Sequence, residues 1–161
     1  MKNPRGILVI WITLFLGLCL QIIPWTPSYN IYKPHVLMLF LAYWLIALPH
    51  RVGIGTAFIL GIIMDLFSGT IIGIHAFIFS IIAYLLIFKY QLIRNLALWQ
   101  QCFIIFGISI CYNLLMFLFQ VSIYHTITMS PLNLLSSFVD GVLWIVIYLF
   151  LRLVRRSFAI N

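Results

Sequence analysis

Six apolar runs, at 6–23, 34–48, 53–67, 71–88, 96–121 and 134–151, are separated only by short polar or charged interruptions, and they constrain the fold more than any other feature. A helix crossing the hydrocarbon of a bilayer needs about 17 to 25 apolar residues. Four of the six runs reach that length, and the two shorter ones, 34–48 and 53–67, come close. Across 161 residues the chain is 65% hydrophobic and 7% charged, whereas a soluble domain is about half apolar and about a quarter charged. The expectation is an all-α integral membrane protein, a single domain over 1–161 with six transmembrane helices. Pro34 suits a helix start and Pro49 forces Leu48 out of helical geometry, so the second span is short, about 22 Å. Spans three and four, parted only by Ser68, Gly69 and Thr70, form a tight antiparallel hairpin.

Charge sets the expected orientation. Nine Lys and Arg face two acids, a formal charge of +7. The bases sit at the ends of apolar runs and form no stripe interleaved with polar residues, which argues against a nucleic-acid partner. With the N-terminus inside, Lys2, Arg5, Arg51, Lys89, Arg94, Arg152, Arg155 and Arg156 all fall on the cytoplasmic side and only Lys33 falls outside. Both termini are therefore expected in the cytoplasm. The first run has no Ala-x-Ala-like cleavage site and reads as a retained span. The outer segments 24–33 and 122–133 are too short to hold a folded module.

The two acids, Asp65 and Asp140, lie inside apolar runs. On span three Gly53, Ala57, Gly61 and Asp65 recur every four residues and share one face, which suits close helix packing in lipid and turns Asp65 toward protein. Counting along the spans puts Asp65, Asp140, Asn113 and Ser80 about 9 to 13 Å below the outer surface, with His75 shallower. These groups form one expected polar layer. Without a Lys or Arg at that depth, at least one acid is expected to be protonated, or held by Asn113, Ser80, His75 or backbone groups near the hairpin. The layer reads either as interhelical hydrogen bonding or as a binding pocket or proton pathway, and no chain of acids continues into the inner half.

Further rows at four-residue spacing are Thr13, Gly17 and Gln21 on span one, Ala76, Ser80 and Tyr84 on span four, and Ser136 with Asp140 and Ser137 with Gly141 on span six. Helix contacts are expected for all of them. Cys19, Cys102 and Cys111 read as buried apolar residues, and His35, His50 and His125 as interfacial, since neither set has metal-ligand spacing. Arg51, Lys89, Arg94, Arg152, Arg155 and Arg156 form the candidate inner docking surface, with anionic lipid or a protein as its counterpart. No cofactor motif or nucleophile signature is present, and Asp65 with Asp140 makes only a weak aspartyl pair. The residues leave two functions open, a scaffolding subunit or a small-solute-binding component.

The runs YWLIALPHRVGIGTAFILGIIMDLFSG (43–69), IIAYL (81–85), KYQLIRNLALWQQ (89–101) and GVLW (141–144) resemble the rod shape-determining MreD family in order and spacing. The matching signature is Gly61, three residues, Asp65, and then Gly73 opening span four. The resemblance implies a non-enzymatic inner-membrane subunit of the cell-elongation machinery. Its implied partners are the bitopic protein MreC, MreB filaments, a RodA-type glycosyltransferase and a class B penicillin-binding transpeptidase. It also implies an architecture similar to the S components of energy-coupling-factor transporters, which keeps the solute-binding alternative open. Small-residue faces and basic inner loops are the expected docking surfaces.

Overall fold

The computed structural model describes residues 4–24, 32–124 and 133–158. Among them are seven helices: α1 Pro4–Ile22, α2 Val36–Ala47, α3 Ile54–Ser68, α4 Ile74–Phe88, α5 Tyr90–Asn95, α6 Leu98–Tyr124 and α7 Asn133–Ser157. Stretches within α6 and α7, Leu98–Ile123 and Leu135–Ser157, are long and apolar enough to cross a membrane. The first four helices are apolar and shorter.

At the centre lies α2. Every residue from Leu37 to Ala47 is buried, and the helix packs against α1, α4, α5 and α7. A helix apolar on all sides belongs inside, and α2 has no exposed large apolar side chain, whereas each of the other six helices has at least one. The expected start at Pro34 is two residues early. His35, at φ −86° and ψ 63°, is the non-helical cap before Val36, because its backbone N–H and ring are both bonded to Asp140. The expected stop holds: Leu48 leaves helical geometry ahead of Pro49.

The row on α1 meets α2 at three levels. Trp44 Nε1–H donates to Thr13 Oγ1 at 2.9 Å, and the Leu37 N–H donates to Gln21 Oε1 at 3.4 Å. Between them, a Cβ on Gly17 would lie 3.1 Å from Cγ of Phe40, so the absence of a side chain there seats that ring. On α7 the expected rows are also inward: Ser136, Ser137, Asp140 and Gly141 are buried, and Trp144, Ile147 and Leu151 continue the face. The row on span four divides, with Ala76 buried, Ser80 half-buried and Tyr84 exposed.

Two further boundaries depart from expectation. The inner loop at 89–95 holds the six-residue helix α5, and span six runs on to Ser157, taking Arg152, Arg155 and Arg156 into the last turns of α7. Basic residues suit the C-terminal end of a helix, where the carbonyl dipoles point outward. Gln101 ties this end together: Nε2 donates to the carbonyls of Ile93 and Leu96, both at 3.1 Å, and Oε1 accepts from Trp144 Nε1–H at 3.4 Å. Among the cysteines, Cys19 is exposed and Cys102 and Cys111 are half-buried, so the expectation of burial fails for Cys19 and is met only in part by the other two.

Candidate functional site

Helices α3 and α4 make the most extensive pairing in the molecule, and the chemistry of their contact follows from three residues. A Cβ on Gly61 would sit 2.2 Å from the Cα of Ala76 and 2.5 Å from its nitrogen. Only glycine lets the first turn of α4 lie directly on α3. One turn further along α3, the Asp65 carboxylate then stands over the start of α4. Its Oδ2 accepts from the Gly73 N–H at 2.8 Å and the Ala76 N–H at 3.4 Å, and its Oδ1 accepts from the His75 N–H at 3.1 Å.

The N-terminus of α4, whose first N–H groups lack helical partners, is thus capped by an acid on a neighbouring helix, where the dipole favours negative charge. Gly73 takes φ 114° and Gly69 takes φ 64°, left-handed values that let the turn fold back so tightly. The Thr70 hydroxyl donates to Asp65 Oδ1 at 2.9 Å, and His75 Nδ1 approaches the same oxygen at 2.7 Å.

A second cluster forms around Asp140 on α7. The His35 N–H donates to Oδ1 at 2.8 Å and His35 Nδ1 lies 2.7 Å from Oδ2. Ser109 on α6 also donates to Oδ2. Both acids are fully buried. Tyr112 on α6 stands between the clusters, its ring centroid 4.4 Å from that of His35 and 6.3 Å from that of His75. Two Asp–His pairs therefore flank one buried phenol.

The expected polar layer is partly realised. Asp65 joins His75 and the backbone groups of the hairpin, as anticipated, but Asn113 and Ser80 bind neither acid. Asn113 Nδ2 donates to Ser137 at 2.9 Å and Ser136 at 3.3 Å, joining α6 to α7. Ser80 donates back to the Ala76 carbonyl at 2.7 Å, the usual retreat of a hydroxyl inside an apolar helix. On the small-residue stripe, Ala57 and Gly61 are buried. Gly53 lies outside the seam, as the extended cap of α3 at φ −125° with nothing within 4 Å of its would-be Cβ.

The sequence reading takes His35 for an interfacial group and Thr70 for a turn residue, and it does not single out Ser109 or Tyr112. For the last two a signal existed: Gln101, Ile105, Ser109 and Tyr112 follow at spacings of four, four and three on α6, and all four are buried. His50 is exposed, and His125 lies outside the described residues.

In the second cluster the hydroxyl and the imidazole both bond the acid. A nucleophile–base–acid relay instead places the base between hydroxyl and acid. Among the described residues no group of three or more His, Cys, Asp or Glu is placed to hold a metal. The clusters join helices distant in sequence, and every contact of Asp65 and Asp140 given above is internal.

At the other end of the helices, four of the six candidate docking residues converge. Arg94 of α5 and Arg152, Arg155 and Arg156 of α7 line a cavity of about 480 Å³ beside Tyr43 and Trp144. Arg155 hydrogen-bonds the Tyr43 side chain. Lys89 and Arg51 stand apart. The Lys89 ammonium lies 5.1 Å from the centre of the Phe88 ring, and Arg51 Nη1 is buried with no hydrogen-bond partner among the described residues. Lys33, just before α2, is partly buried, and desolvation pushes its ammonium below the usual lysine range.

The family described as rod shape-determining protein MreD matches residues 3–154. The chain is 34% identical over 151 residues to a rod shape-determining protein MreD of Haemophilus influenzae, covering 91% of this chain and 93% of that relative. No solved structure matches. The glycine–acid–glycine signature, whose geometry builds the α3–α4 junction, thus sits in a sequence match spanning nearly the whole chain, and the chain belongs to the MreD family of rod shape-determining proteins.

Proposed function

We propose that the chain is a non-enzymatic scaffold subunit of the bacterial cell-elongation machinery. It passes the inner membrane six times through α1–α4, α6 and α7, with both termini in the cytoplasm. In this reading it holds MreC, MreB filaments, a RodA-type glycosyltransferase and a class B penicillin-binding transpeptidase in one complex. The observation that supports it most directly is the engagement of the only two acids, Asp65 and Asp140, in hydrogen bonds that join helices. Groups so engaged lock an architecture, and a rigid frame is what a scaffold requires.

The α3 stripe is covered by α4, so partner spans meet the outward faces of the bundle instead. The solute-binding alternative places its ligand in the polar layer, where the acids and histidines already bond one another.

The test is recovery of the tagged chain from solubilised inner membranes, with mass spectrometry of both proteins and small molecules. MreC and the synthases are the expected companions. A stoichiometric small molecule recovered without them would replace the scaffold by the solute-binding reading. Reporter fusions after residues 50, 95 and 158 are expected to read cytoplasmic, and a fusion at 70 periplasmic; the reverse pattern would overturn the orientation.

A further inference from the structure

The arginine-lined cavity, open on one side, is lined by elements that the chain brings together from far apart. The end of α2 contributes Tyr43, Ile46 and Ala47, α5 contributes Arg94, and the last turns of α7 contribute the other three guanidinium groups. Arg94, Arg152 and Arg156 are exposed and Arg155 half-buried, and four like charges around one space repel each other. No acidic side chain of this chain offsets them. The sequence holds two acids, and both are fixed in the Asp–His clusters at the other end of the helices. We propose that the cavity is a binding site for a phosphate-bearing headgroup of net negative charge.

The chemistry favours phosphate. A guanidinium presents a planar fork of donors matched to phosphate oxygens, and several such forks can share the non-bridging oxygens of one phosphate. At about 480 Å³ the space falls within the usual range for organic ligands, about 300 to 1,000 Å³, so it admits a headgroup larger than phosphate itself. Ile46, Ala47 and Trp144 line part of the wall and suit the carbon portion of such a ligand. Basic pockets between membrane helices on the cytoplasmic side are known to suit anionic lipid headgroups, and a free phosphate shares the same chemistry. The inference rests on the membrane reading of the fold only for the lipid source; the cavity itself is independent of it.

The experiment uses the full chain, delipidated in nonionic detergent, and isothermal titration calorimetry. The probes are short-chain phosphatidylglycerol and inorganic phosphate, with short-chain phosphatidylcholine, whose choline cation cancels the charge of its phosphate, as the comparison without net charge. Saturable binding of phosphatidylglycerol is expected, weakened at least about tenfold in R152Q/R156Q, since each loses a charge-assisted hydrogen bond. R94Q is expected to weaken it as well, and K89Q, outside the cavity, to leave it unchanged. Binding of phosphatidylglycerol alone identifies a lipid site; equal binding of inorganic phosphate with the same loss identifies a free-phosphate site.

Removing like charges relieves repulsion, so the ligand-free R152Q/R156Q variant is expected to unfold at the same or a higher temperature. Should it fail to fold, R94Q on the exposed face of α5 carries the comparison. Absence of saturable binding to either anion, binding that R94Q and R152Q/R156Q leave intact, equal binding of phosphatidylcholine, or an equal loss in K89Q would overturn the proposal.

Discussion

Gly61 and Gly53 look alike in the sequence, four-residue steps on one stripe, yet their surroundings make opposite demands. Gly61→Ala places a methyl group inside the backbone of α4, so the helices must separate. Overpacking of this kind costs about 1 to 3 kcal/mol, and Gly61→Ala is expected to lower the unfolding midpoint in detergent while Gly53→Ala leaves it unchanged. Asp65→Asn keeps the size of the side chain but turns one acceptor oxygen into a donor that confronts the N–H groups of α4. A buried donor left unpaired costs about 1 to 3 kcal/mol, and the same measurement should show a loss of that order. For the second pair, a double-mutant cycle between His35→Ala and Asp140→Ala is expected to give a coupling of about 0.5 to 3 kcal/mol. A cycle between His35→Ala and Thr13→Ala, whose partners differ, should give none. The acid on α3 was legible as protein-facing because its stripe was regular. His35 was not, because its partner lies 105 positions away in the chain.

Helices differ in how much of their surroundings the sequence declares. On α1 and α7 the polar and small residues recur at helical spacing, and both inward faces followed from that period alone. Nearly uniform apolarity hides the position of α2: a lipid-facing span and a buried one read the same, and the burial comes from neighbours on four sides. Truncation separates the cases. Leu41→Ala opens a void in a closely packed interior, for which about 2 to 5 kcal/mol is usual, whereas Phe103→Ala on the outward face of α6 is expected to leave the unfolding midpoint of the isolated protein nearly unchanged. The short α5 was unreadable as a helix, since seven residues between two spans fit a plain loop equally well. Its bond partner Gln101, on the next helix, is what holds its end.

Among the described residues every helix except α2 has large apolar side chains on its outward face as well as inside, the surface expected of a protein dissolved in hydrocarbon. Its tryptophans report this directly. Trp11 is 41% exposed and Trp99 63%, while Trp44 and Trp144 are fully buried. In bilayers with brominated acyl chains, single-tryptophan variants retaining Trp11 or Trp99 are expected to be quenched, and those retaining Trp44 or Trp144 to be protected; equal quenching of all four would contradict the fold. The capping of α4 by Asp65 also bears on biogenesis. An ionised acid on a lone span is costly in lipid, and the donors that satisfy Asp65 exist only once α4 has begun to coil beside it. On the six-span reading, the hairpin is expected to enter the bilayer as a pair, with the carboxylate and the first turn of α4 shielding each other from the acyl chains.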